Sequence, residues 1–155
     1  MPSSTPRSSL EERLAREGAA LLVESVARIE RGEAAFSPQD ESLATHAGKI
    51  ETPDAVLDWS RPAAVLERLV RAMIPDPIAW LPVAGGKLQV LRARALASLH
   101  GRAPGEVAGI EGEDLLVAAG EGALALSLVR PSGKKEMSGA AFARGKRLAP
   151  GSLLA

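Results

Sequence analysis

Past Pro77 the chain changes its period, and that change limits the fold more than any other feature. Upstream, apolar residues recur every three or four positions; downstream they come in short runs cut by glycines. The runs "IAWLPV", "KLQVLRARALA", "GEVAGI", "EDLLVAAG" and "GALALSLV" are too short for helices and are separated by turn-forming residues. That pattern predicts five antiparallel strands in a small closed or nearly closed β-barrel rather than a parallel α/β sheet. The first two runs, joined through "GG", read as a hairpin. In the second, Leu88 and Val90 are expected on one face with Arg92 and Arg94, and Leu91, Ala93 and Ala95 on the other. A short helix over "SGAAFARG", capped by Ser138, would close one end.

Before Pro77 the helical period appears twice. From Ser8 to about Arg31, Leu10, Leu14, Leu21, Leu22, Val26 and Ile29 fall on one face, with Ser8 or Ser9 as the expected cap and Gly32 as the stop. This face is broad and apolar, so it calls for a partner surface. The second helix, "SRPAAVLERLVRAMIP", is expected to start from Ser60 as cap with Pro62 in its first turn, and to end before Pro75. Between the helices, residues 33–58 lack a sustained period and read as an ordered linker. The expected organisation is therefore a helix over 1–32, a linker over 33–58 and a barrel domain over 59–155. The fold class is α+β, mostly β.

Composition narrows the chemistry. There is no cysteine, so disulfides and thiolate metal sites are excluded. No apolar run approaches the roughly 20 residues of a membrane helix, and the first residues lack a signal-like stretch, so a cytoplasmic protein is the default expectation. Net charge is zero, yet residues 1–57 carry −4 and residues 58–155 carry +4. The basic half is the better candidate for phosphate contact.

No catalytic constellation is visible. His46 and His100 lie far apart, without the carboxylate or histidine companions that a metal or a general base needs. The glycines of "VAGGK" and "AGEGAL" lack the fixed order of a phosphate loop and read as hairpin turns. The cations group better. Arg92 and Arg94 share a face of the second strand, while Lys134, Lys135, Arg144, Lys146 and Arg147 cluster near the C-terminus. On a small barrel such groups can converge on a sugar-phosphate backbone. With only two tryptophans and two phenylalanines, backbone and shape readout of a folded RNA is favoured over stacking along a single strand.

The order of motifs then becomes recognisable. "PQDESLATHAGKI", "LDWS", "AAVLERLVRAMIPDPIAWL", "APGEV", "VAAGEGALALSLVRPSGKKEM", "FARG" and "PGSLL" together resemble the linker and C-terminal domain of methionyl-tRNA formyltransferases. The leading "SSLEERLAREGAALLVESVARIERGEA" is similar to the last helix of that family's catalytic domain. The resemblance implies an OB-like barrel that binds initiator methionyl-tRNA, with the linker lysine, Lys49, helping to hold it. The candidate RNA-binding set is therefore Lys49, from the resemblance, with Arg92, Arg94, Lys134, Lys135, Arg144 and Lys146 from the grouping of cations.

In the family, a Rossmann-like domain carries the 10-formyltetrahydrofolate donor and a catalytic Asn, His and Asp. Nothing in this chain matches those residues, so it is expected to hold no cofactor and to be noncatalytic alone. His46 stands where relatives often have Tyr, "IPDPI" stands where they usually show N-P-x-P-G, and Arg130 replaces a glutamine common near the end of the last strand. The alternatives are one half of a split formyltransferase that works with a separate catalytic chain, or the related barrel of a sugar or folate formyltransferase-family enzyme.

Overall fold

A computed structural model describes residues 7–97 and 101–154. His100 lies outside the described residues. Three helices accompany one antiparallel sheet: α1 (Arg7–Glu30), α2 (Ala63–Ala72), β1 (Trp80–Val83), β2 (Gly86–Leu96), β3 (Val107–Glu111), β4 (Asp114–Ala118), β5 (Ala123–Pro131), β6 (Met137–Ser138) and α3 (Gly139–Lys146). The mostly-β α+β class follows from the period change, and β6 adds a two-residue strand to the five expected.

The sheet runs β1-β2-β5-β4-β3, with β6 on β5. Its two free edges are covered rather than joined to each other. Along β1, Leu57 N–H donates to the Trp80 carbonyl at 2.8 Å and Val56 forms a parallel bridge. Along β3, the C-terminal segment pairs through Val107 N–H to Ser152 O at 2.8 Å, and Leu154 N–H returns to Gly105 O at 3.0 Å. Covered edges cannot template strand addition.

One hydrophobic cluster fills the interior, built on Leu81, Leu88, Val90, Leu115, Val117, Leu124, Leu126 and Val129 from the sheet. Leu66 and Val70 enter it from α2, and Phe142 and Ala143 from α3. Ala55 and Leu57 belong to it as well, so the stretch read as linker enters the core before residue 59.

Strand β2 departs from simple alternation. Its register against β5 slips between Val90 and Arg92 and again before Ala93. This bulge inverts the parity, because an extra residue rotates the rest of the strand onto the opposite face. Leu88 and Val90 point inward; beyond the bulge Ala93 and Ala95 pack against the core, while Arg92 and Arg94 are exposed. Arg92 and Arg94 therefore do not share the face of Leu88 and Val90.

The helix ends also correct the sequence expectations. α1 is already helical at Arg7, which places Ser8 and Ser9 inside its first turn. Its other end closes as a Schellman motif, Glu33 N–H to Arg28 O at 2.9 Å and Gly32 N–H to Ile29 O at 3.0 Å, with Gly32 at φ 70°. Ser60 does not cap α2; its hydroxyl and amide both donate to the Asp58 carboxylate, which holds that carboxyl below its ordinary range. Pro62 occupies the cap position, and Ala63 N–H finds its acceptor in Glu121 O, 2.9 Å away in the β4–β5 turn. Ser138 caps α3 as expected, accepting from Ala141 N–H at 3.1 Å.

α1 buries none of its residues. Leu14, Leu21, Leu22, Val23, Val26 and Ile29 are all exposed, and Arg7 donates from its guanidinium to Asp76 O at 2.9 Å. Residues 33–58 contain two short 3-10 turns, Glu41–Leu43 and Thr52–Ala55.

Candidate nucleic-acid interface

Three local devices decide where the cations sit. The turn after β5 is clasped to β2 by Ser132, whose Oγ accepts from Lys87 N–H at 3.0 Å and whose own N–H donates to Lys87 O at 2.9 Å. That clasp brings Lys134 beside Lys87. Lys146, at the end of α3, donates Nζ to Ala84 O at 3.0 Å and so ties the helix to the β1–β2 turn. Trp80 donates its indole N–H to Thr52 O at 3.1 Å, which fixes the end of the linker, three residues past Lys49, against β1.

These devices line up four clefts that share walls. The first holds Lys49 with Thr52, Asp76 and Pro77. Thr52, Asp76 and Pro77 also wall the second, which adds Trp80, Lys87 and Arg130. Lys87 and Ser132 continue into the third, where Lys134 and Lys146 stand over Val83, Met137 and Phe142. Lys146 and Phe142 pass into the fourth, the seam between Val83 of β1 and Leu153 and Leu154 of the C-terminal segment. The result is a continuous track carrying Lys49, Lys87, Arg130, Lys134 and Lys146.

Lys49, Lys87, Lys134 and Lys146 are exposed and, among the described residues, take part in no ion pair. Arg130 is paired with Glu136 at 2.9 Å. The acids along the track are Glu51 and Asp76, with Glu136 spent on Arg130. Positive charge is thus in excess, and a surface of this kind attracts polyanions.

Of the cations singled out by sequence, the structure brings Lys49, Lys134 and Lys146 onto this track, and Lys135 lies in the same turn as Lys134. Arg94 lies elsewhere: it pairs with Asp114 at 3.3 Å and lines a separate cleft with Glu67, Arg68 and Arg71 of α2. Arg92 is exposed beyond the bulge and Arg144 is exposed on α3, and neither lines the track. Lys87 and Trp80 were missed by sequence reasoning. The alternation Lys87–Leu88–Gln89–Val90 did mark Lys87 as outward-facing, but only the pairing of β1, β2 and β5 places it between Lys49 and Lys134. His46 is exposed, and no cluster of three or more metal-binding side chains exists among the described residues. No helix among them is long and apolar enough to cross a membrane.

Architecture and track define a class: an OB-like, mostly-β domain with a helical extension and a basic groove. Residues 49–147 match the family model described as formyl transferase, C-terminal domain, and the chain belongs to that family. It is 44% identical over 142 residues to the methionyl-tRNA formyltransferase of Nocardioides sp., covering 90% of this chain and 44% of that one. Against the enzyme of the same name from Acidithiobacillus ferrooxidans it is 40% identical over 146 residues, covering 94% and 47%. The chain thus spans just under half the length of these curated relatives. Among solved structures, a multiply substituted variant of HypX from Aquifex aeolicus shares the fold at TM-score 0.66 and 22% identity, over 92% of this chain and 26% of that one.

Proposed function

We propose that this chain is the tRNA-binding C-terminal part of a methionyl-tRNA formyltransferase, noncatalytic by itself, and that the lysine track is its RNA contact. The observation that carries the reading is the continuity of the track from the linker lysine Lys49 to Lys134 and Lys146, in a family whose full-length relatives are named for methionyl-tRNA. Spaced ammonium groups along a groove neutralise successive phosphates by charge-assisted contacts. Such contacts fix position on a folded RNA without reading its sequence.

The test is direct binding of initiator tRNA to the whole chain across a salt series. Association at low salt that weakens as salt rises supports the reading, because counterion release makes phosphate contact salt-dependent. No association at any salt rejects it.

The uncovered face of α1 supports a second element of the proposal, that this helix packs on the catalytic, folate-binding domain of a formyltransferase. Burying Leu21, Leu22, Val26 and Ile29 there would contribute about 1.5–3 kcal/mol each. A catalytic domain supplied as a separate chain should gain formyl transfer to methionyl-tRNA when this chain is added. Unchanged activity in the mixture would exclude that arrangement.

A further inference from the structure

The track includes one place built for more than phosphate. Trp80 of β1 lies directly opposite Gln89 of β2, and Gln89 lies opposite Arg130 of β5. Directly paired residues point to the same side of a sheet, so these three form one row across three strands, about 4.8 Å apart. Their strand neighbours Leu81, Leu88, Val90 and Val129 are fully buried, so the row lies on the other face of the sheet, where each member is half-buried and Trp80 also packs against the hydrophobic cluster. Each member ends in a planar group: an indole, an amide and a guanidinium.

The indole is preset. Its N–H is held by Thr52 O at 3.1 Å, and Lys87 Nζ lies 4.1 Å from the ring centroid, over the face. A cation on a flexible stem is an exchangeable cover for that face, since a phosphate attracts it more strongly than a ring does. The cleft around the row is about 350 Å³, within the range of small-molecule pockets.

We propose that this row is a subsite for one unpaired nucleobase of a bound RNA, stacked on Trp80, with Lys87 leaving the ring for the adjacent phosphate and the Gln89 amide hydrogen-bonding the base edge. The proposal rests on the RNA-binding reading above. Stacking on an aromatic face tolerates any base, so the subsite adds affinity and register rather than sequence choice.

Tryptophan fluorescence reads it. The sequence has two tryptophans, so Trp59→Phe, which keeps an aromatic ring at that core position, leaves Trp80 as the sole tryptophan of the full chain. Initiator tRNA should quench that emission over the same concentrations at which it binds, whereas heparin, a polyanion without bases, should bind with no comparable quenching. Trp80→Leu should weaken tRNA binding roughly tenfold and heparin binding by clearly less, the heparin loss measuring only the loosened Lys49 contact. Binding of tRNA without quenching of Trp80 overturns the base subsite and leaves the lysine track standing. Failure of the wild-type chain to bind tRNA overturns both. Because the quenching arm uses native Trp80, the outcome does not depend on Trp80→Leu folding.

Discussion

Replacing Lys134 and Lys146 together by glutamine should change how tRNA binding responds to salt, by an amount that the track itself sets. Four track lysines, Lys49, Lys87, Lys134 and Lys146, carry no ion pair among the described residues, while Arg130 is engaged with Glu136. If each neutralises one phosphate, the duplex slope of about −0.9 per contact gives about −3.6 for log K against log salt. Affinity should then fall roughly 150-fold between 50 and 200 mM salt. The double variant keeps two contacts, so its slope is about −1.8 and the same change costs roughly 12-fold. Both lysines are exposed, and Lys146 gives up only its hydrogen bond to Ala84 O, so the fold should survive. The assay is fluorescence anisotropy of labelled initiator tRNA at four or more salt concentrations. A double variant with an unaltered slope would refute the assignment of these lysines to phosphates, even if its affinity fell at one salt. Arg92→Gln with Arg94→Gln is the matched control: it removes two charges from another wall, and the slope should move by less than about 1.

Packing and titration set three further outcomes. Gly139→Ala should destabilise the domain by about 1–3 kcal/mol or more in denaturant unfolding, because its new Cβ would collide with Leu126 O and lie 2.7 Å from Leu115 N, both backbone. Gly145→Ala, six residues along the same helix with nothing within 4 Å, should instead be neutral or stabilise by up to about 1 kcal/mol. Truncating Leu126, which is fully buried in the central strand, to alanine should cost about 2–5 kcal/mol and lower Tm without a change in the salt slope of whatever fraction stays folded. Acid should also weaken the fold in a defined direction. The Glu106 carboxylate is held below its ordinary 4.5 by the Ala103 amide and then by Arg102, and Asp58 below its ordinary 3.8 by Ser60. Groups with depressed folded values stabilise fully above their unfolded values and lose that contribution as pH falls through the folded ones. Tm should therefore drop between about pH 5 and pH 3, and Glu106→Gln should flatten the drop.

Period and punctuation revealed most of this fold because both are local. The change at Pro77 separates helices from strands, Ser138 caps the helix it was expected to cap, and Gly32 ends α1. What sequence hid is what depends on contacts across strands. Ser60 carries the residue type of a cap, yet Asp58 two positions earlier captures its hydroxyl and amide, and a carbonyl from the β4–β5 turn takes over the capping. Likewise nothing local to "QVLRAR" signals a bulge; it arises where β2 must pair with β1 at one end and β5 along its length.

That bulge bears on function. With strict alternation Arg92 and Arg94 would have had to face the core beside Leu88 and Val90, or those leucine and valine side chains would have faced water with the arginines. Either arrangement costs several kcal/mol, through a buried guanidinium or lost apolar burial. The slip lets one strand supply two surfaces: before it, Lys87 and Gln89 line the track; after it, Arg92 and Arg94 face solvent, Arg94 in the cleft beside α2. Charges that look like one basic strand in sequence thus belong to two walls. The groove is assembled instead by the pairing of β1, β2 and β5, which sets Trp80, Gln89 and Arg130 side by side and places Lys49 in line with the lysines of the last turn and helix. Lys49 sits at the end of this groove, three residues before Thr52, which Trp80 anchors, so a substitution of Trp80 should loosen the segment that carries Lys49 as well as remove the proposed stacking surface. Comparing Lys49→Gln, Trp80→Leu and the double variant separates the two effects. If Trp80 also positions Lys49, the double should bind tRNA more tightly than the two single losses added together imply, since part of the second loss has already occurred in the first.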